Sequence, residues 1–134
     1  MKRHHHSLVK AFYREHYPSG KPNKADPIWL LTHKDKIICV YRLRQFESGQ
    51  LLTGMVTHPE FRQQGYGSYL LHETRQALAN KTCFCFAEEH NAAFYLANNF
   101  LSESIEQLPA ELRARLKAYQ QKRPTLSAYR YHST

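Results

Sequence analysis

Acidic side chains are scarce in this chain of 134 residues: 11 Asp and Glu stand against 19 Lys and Arg, giving a formal net charge of +8. The shortage is local. Residues 1–24 hold six Lys/Arg and one acid, and residues 110–134 hold the same. Residues 25–109 hold seven basic and nine acidic side chains, a net of −2. The excess charge therefore lies in two flanks, as solvated surface or as a source of long-range attraction for an anion. Cysteine is also sparse. Cys39, Cys83 and Cys85 form an odd set with no CxxC pair. That argues against a disulfide framework and fits a reducing cytoplasm. No apolar run approaches membrane-spanning length, and the basic N-terminus is not followed by a signal-like apolar stretch. Internal repeats and low-complexity segments are missing. What remains, 42% hydrophobic and 13% aromatic, suits one soluble domain with a real core, expected over 1–134. Residues 1–7 read as a flexible basic arm, and its His4-His5-His6 run is assigned no function.

The informative stretch is Arg62-Gln63-Gln64-Gly65-Tyr66-Gly67. It follows the apolar run Leu51-Leu52-Thr53-Gly54-Met55-Val56 and precedes a helix-like segment. A strand, a glycine-bearing turn and a helix start make a phosphate site. First-turn N–H groups lack intrahelical partners and carry the positive end of the helix dipole. Glycine lets the backbone approach an anion closely.

The run His58-Pro59-Glu60-Phe61-Arg62-Gln63-Gln64-Gly65-Tyr66-Gly67 resembles the acyl-CoA-binding motif of the GCN5-related N-acetyltransferases. A second similarity lies at Phe94-Tyr95-Leu96-Ala97-Asn98-Asn99-Phe100, where Asn99 replaces the family's usual Gly. Asn is the next best residue for a left-handed helix C-cap. The Asn that often opens this helix falls on Glu88, and Asn91 stands where Ala is common. Together the motifs span roughly Leu51 to Phe100.

The resemblance implies a small single-domain acetyltransferase of α/β class. Its sheet would be mixed and mostly antiparallel, with one parallel crossover and helices on both faces. The implied reaction is direct transfer of acetyl from acetyl-CoA, as cosubstrate, to a primary amine within a ternary complex. The implied cofactor-binding residues are Met55, Val56, Thr57, Arg62, Gln63, Gln64, Gly65, Tyr66, Gly67, Ser68, Asn91 and Tyr95. A backbone amide near Met55 to Thr57 would hold the oxyanion, and Tyr95 would protonate the departing thiolate. Tyr95 also reads as an ordinary amphipathic aromatic with its ring in the core. The family often places a Glu on the strand before the phosphate turn, but Leu51 to Val56 holds no acid. Candidate bases are Glu88, His90 and Glu47, with a water relay or no base as alternatives. His58 has suitable chemistry but falls in a turn and reads as structural.

The element order supports this. A helix is expected over Leu8–His16 and a loop over Pro18–Asn23. Strands are expected at Ile28–Thr32, Ile37–Phe46 and Leu51–Thr57, joined by turns at His33–Lys36 and Ser48–Gln50. A helix follows over Gly65–Asn80, with Tyr66, Leu70, Leu71, Thr74, Ala77 and Leu78 at three- and four-residue steps. Then come a strand at Lys81–Ala87, a helix at His90–Asn98, a strand at Phe100–Ser104, a helix at Pro109–Lys122 and a strand at Leu126–Tyr131. Cys83 and Cys85 share one strand face and read as small core residues, with no metal site assigned. Two features depart from the family: its first strand is missing or short, and the last helix is longer than the usual turn. That insertion could cover the acceptor side, pack, or form a dimer surface.

Partners on this reading are acetyl-CoA and an amine, with no membrane, in a monomer or homodimer. A non-catalytic CoA-sensing or protein-binding module is the second reading. A nucleic-acid-associated protein, suggested by the basic flanks and their tyrosines, is the third.

Overall fold

A computed structural model describes residues 9–13 and 26–133. Residues 9–13 are helical (α1). The order continues β1 (Ile28–His33), β2 (Lys36–Phe46), β3 (Gly49–Thr57), α2 (Tyr66–Glu73), α3 (Arg75–Ala79), β4 (Cys83–Ala87), α4 (Glu89–Ala97), β5 (Phe100–Glu103), α5 (Ala110–Gln120) and β6 (Ser127–Tyr131). The expected loop at Pro18–Asn23 and the His4–His6 run lie outside the described residues, as do the ends of the first helix. The strands hydrogen-bond in the order β1-β2-β3-β4-β6-β5, with one parallel pair. β1 is antiparallel to β2, and β6 is antiparallel to both β4 and β5. This is the mixed α/β sheet expected from the strand–helix–strand order around α2 and α3, and α4 carries the chain past β6 to β5 in a further crossover.

The chain forms two compact units. The first includes α1, β1, β2 up to Gln45, β3 from Leu52, and α2. Val9, Phe12, Tyr13, Ile28, Ile37, Val40 and Val56 form its core cluster. β2 is buried without a break from Ile37 to Tyr41, and it gives Ile37 and Val40 to this cluster across an irregularity in its pairing with β1. β3 carries a local irregularity at Gly54, whose φ of +63° is one that L side chains rarely adopt. The Tyr13 hydroxyl donates to the Gly54 carbonyl at 2.8 Å. A Cβ added at Gly54 would stand 2.8 Å from the same hydroxyl oxygen. Glycine is required there both by dihedral and by contact.

The second unit holds Phe46–Leu51 and everything from Arg75 onward. Leu108, Leu112 and Leu116 of the α5 region pack with Phe46, Leu51, Phe84, Leu126 and Ala128. Their spacing of four residues puts them on one helix face. The longer last helix thus has a packing role. Tyr119, on the last turn of the same helix, is 43% exposed. Its hydroxyl accepts a bond from Arg115 Nη1 at 3.1 Å and its ring meets Phe86 edge-on. An amphipathic side chain at the last turn satisfies its polar end in this way without deep burial.

Three expectations shift. Gly49 and Gln50 belong to β3 and not to the preceding turn. The Gln50 side chain is 2% exposed and its amide donates to the Ala77 carbonyl at 2.9 Å, a burial made tolerable by that bond. The single helix over Gly65–Asn80 is interrupted at Thr74, where φ is −108° and ψ 20°. The Thr74 hydroxyl donates back to the Leu70 carbonyl at 2.8 Å and also meets the Tyr41 hydroxyl. Such local side-chain bonds compete with the helix ladder. Short 3-10 turns at Pro59–Phe61 and Ile105–Gln107 carried no recognised signal.

Candidate functional site

The first unit assembles the proposed phosphate turn on the end of β3. Val56 is buried there, while Met55 and Thr57 are half-buried. His58 caps the 3-10 turn at Pro59–Phe61. Its Nδ1 accepts the Glu60 amide at 3.1 Å, and its own backbone N–H donates to the Ile38 carbonyl at 2.7 Å. The His58 ring stands edge-on to Phe61, and Phe61 edge-on to Tyr66, at centroid distances of 5.6 and 6.0 Å. This aromatic run braces the start of α2. Sequence inspection gave Phe61 no role, although an aromatic beside the His58-Pro59 pair was the available signal.

Arg62 fastens the turn. Its Nε donates to the Thr57 carbonyl at 3.0 Å, tying the loop back to the last residue of β3. Gln64 donates to the Glu60 carbonyl at 3.3 Å. The backbone then passes through Gln63 at φ +63° and Gly65 at φ +84°. Left-handed residues in a short turn are one way in which backbone N–H groups are turned toward an anion. Gly65 is the N-cap of α2, without a side-chain cap bond and with no acid in the first turn. The first turn thus supplies no carboxylate to neutralise the positive end of the helix. Arg62, Gln63, Gln64 and Gly65 are exposed, and Tyr66, Gly67 and Ser68 are half-buried. An added Cβ at Gly65 would meet nothing within 4 Å among the described residues.

The second unit carries the proposed acid and bases. Glu88 is half-buried as the extended N-cap of α4, and its carbonyl accepts the Asn91 amide at 2.9 Å. His90 and Asn91 are exposed in the first turn of α4. Tyr95 is buried at 9% exposure between Phe94 and Phe100, edge-on to both at 5.1 and 5.5 Å. Edge-to-face pairs of this kind fix a ring's orientation. Asn99 adopts φ +70°, the left-handed conformation expected of a residue replacing Gly, and its carbonyl accepts the His132 amide at 2.7 Å. Glu47 is exposed in the turn before β3, whereas the phosphate turn follows the other end of that strand.

The cysteines are all buried. Burial pushes the Cys39 thiol above its ordinary range, partly offset by a bond from the Thr57 hydroxyl at 3.3 Å and by the Val40 backbone. Burial raises Cys85 well above the usual value, with Cys83 adding to it. Raised thiols are poor nucleophiles, so neither suits an acyl-cysteine mechanism.

The sequence matches the model of the acetyltransferase (GNAT) domain over residues 24–101, more than half of the chain. The chain belongs to the GNAT acetyltransferases. No curated protein is similar enough in sequence to count as a match. Among solved structures, this GNAT domain is similar to Tetrahymena GCN5, with TM-score 0.66 and 15% identity over 98% of this chain and 89% of that one. It is also similar to the ribosomal-protein-S18-alanine N-acetyltransferase of Escherichia coli, with TM-score 0.61 and 14% identity over 78% and 76% of the two chains. N-acetylglutamate synthase from Neisseria gonorrhoeae, complexed with coenzyme A and N-acetyl-glutamate, gives TM-score 0.69 and 16% identity over 98% of this chain. The chain spans 33% of that synthase. At these identities the likeness is one of fold.

Proposed function

We propose that this GNAT domain transfers the acetyl group of acetyl-CoA to a primary amine by direct attack within a ternary complex. The observation that carries the reading is the turn Arg62–Gly67. It is latched to β3, contains two left-handed residues, and opens an acid-free helix end. The pyrophosphate of CoA is the ligand that such a turn suits, and N-acetyltransferases and CoA complexes among the similar structures support it.

The amine must lose a proton to attack, since an alkyl ammonium has a pKa near about 10.4. The neutral nitrogen attacks the thioester carbonyl carbon, and the oxyanion takes a hydrogen bond from a backbone N–H near Met55 to Thr57. Collapse breaks the C–S bond, and the thiolate takes a proton, in this reading from Tyr95. Glu88 and His90 are the candidates for receiving the amine's proton, directly or through water. Glu47 sits before β3 and is the weakest of the three.

Calorimetric titration with acetyl-CoA, with dephospho-CoA as control, tests the cofactor assignment. We expect saturable binding that weakens when the 3′-phosphate is lost. Replacing Gly65 or Gly67 by Glu should abolish it, because a carboxylate would enter the phosphate position. Retained affinity in both variants would sink the site. The absence of an acid from Leu51–Val56 favours one competing reading, a CoA-binding module without catalysis. That reading requires acetyl-CoA binding with no CoA release across a panel of amines.

A further inference from the structure

Arg42 lies on β2 opposite Ile28, the first residue of β1. Its Nε donates to Thr53 Oγ1 of β3 at 2.8 Å. Its Nη1 is shielded from solvent and has no hydrogen-bond partner among the described residues. No described carboxylate lies within ion-pair distance of it. The nearest acid along the strand pair, Asp26, spends Oδ1 on the Gln45 amide at 3.2 Å, and its Oδ2 is likewise buried without a partner.

Arg42 is half-buried, and a guanidinium nitrogen shielded from water without a partner is costly. An unpartnered Nη on a guanidinium fixed through its Nε is what an arriving oxyanion would satisfy. Thr53 stands two residues before Met55 on β3, with the left-handed Gly54 between them. An anion held by Arg42 would therefore lie close to the stretch whose amides serve the oxyanion in the proposed mechanism.

We infer that Arg42, positioned by Thr53, binds the carboxylate of the acceptor, so that the substrate class is amino-acid-like amines and not polyamines. The inference rests on the acetyl-transfer reading and deepens it. An oxyanion at Arg42 could also be a phosphate of the cofactor, and the test separates the two sources.

Acetyl-CoA affinity is measured by calorimetry, and CoA release is followed with the common L-amino acids and with their methyl esters. We expect wild type to prefer an acid over its ester by about tenfold to a hundredfold. Arg42→Gln should lose that preference with acetyl-CoA affinity unchanged. Arg42→Lys keeps the charge but not the fork, and should restore it only in part. Thr53→Val should raise KM for the acids and leave the esters alone, whereas a merely structural effect would move both. Thermal melting confirms that each variant is folded.

Equal use of acids and esters overturns the proposal, as does Arg42→Gln weakening acetyl-CoA, which would make the oxyanion a cofactor phosphate. Acetyl-CoA binding with transfer to no amino acid overturns it while the CoA assignment survives. Absence of acetyl-CoA binding overturns the proposed function instead. Direct titration of the amino acids and esters then decides: Arg42-dependent preference for acids upholds the site, and none removes it.

Discussion

Gly54 shows how one residue can be fixed by two independent demands. Its backbone is left-handed, and the Tyr13 hydroxyl occupies the space a methyl would need. Gly54→Ala should cost about 1–3 kcal/mol from the dihedral alone, plus the cost of displacing Tyr13. In a Tyr13→Phe background the same substitution should cost less, because the crowding oxygen is gone. Denaturant titration of the two single variants and the double variant checks this, and strict additivity would refute it. Tyr95 offers a different test. Tyr95→Phe keeps the ring between Phe94 and Phe100 and removes only the hydroxyl. We expect turnover to fall far more than acetyl-CoA affinity, and unchanged turnover would remove Tyr95 as the acid. At this scale the sequence was unevenly legible. The left-handed Asn99 was readable because a glycine position had been filled by its usual substitute. Gln63 was not readable, since nothing about a glutamine announces a positive φ. The Arg62 latch was also hidden: a motif arginine reads as a ligand for phosphate, yet its Nε is committed to the Thr57 carbonyl.

Among the elements, α5 and β4 carry the clearest expectations. Leu112 has no exposed surface and lies in the second unit's core. Leu112→Ala should therefore destabilise by about 2–5 kcal/mol, measured by denaturant unfolding. β4 buries Cys83 and Cys85 among Phe84 and Ala87. The Cys85 thiol ionises less readily folded than unfolded. Stability from this source is thus fully present below the unfolded thiol pKa of about 8.5 and is lost as pH rises beyond it. Above about pH 9, stability should fall less steeply with pH in Cys85→Ala than in wild type. Parallel slopes would refute the assignment. Element type was legible where periodicity was strong, as in β2 and α5. The break at Thr74 was not, because the apolar spacing continues past it and the competing bonds come from the threonine hydroxyl and from Tyr41, distant in sequence.

For the molecule as a whole, the fold class was legible because two motifs bracket one crossover, from Leu51 to Phe100. The amine was not, because Arg42 reads from sequence as one more surface arginine on an alternating strand. Charge is the property that belongs to the whole chain. A net of +8 concentrated in the flanks should accelerate capture of an anionic cofactor. The association rate of acetyl-CoA is then expected to fall with added salt more steeply than its dissociation rate rises, as measured by stopped-flow. A salt-independent association rate would assign the flanks to solubility alone.

In the reading proposed here the turn meets its ligand with backbone and not with side chains, and this shapes how the segment can drift. In a saturation library selected for cofactor retention, position 65 should stay almost entirely glycine. Position 63, left-handed but exposed, should enrich for Gly and Asn over the present Gln. Position 64 should accept nearly anything uncharged or basic. The constraint is one of handedness, so a family aligned on residue identity alone would understate how strictly this turn is inherited.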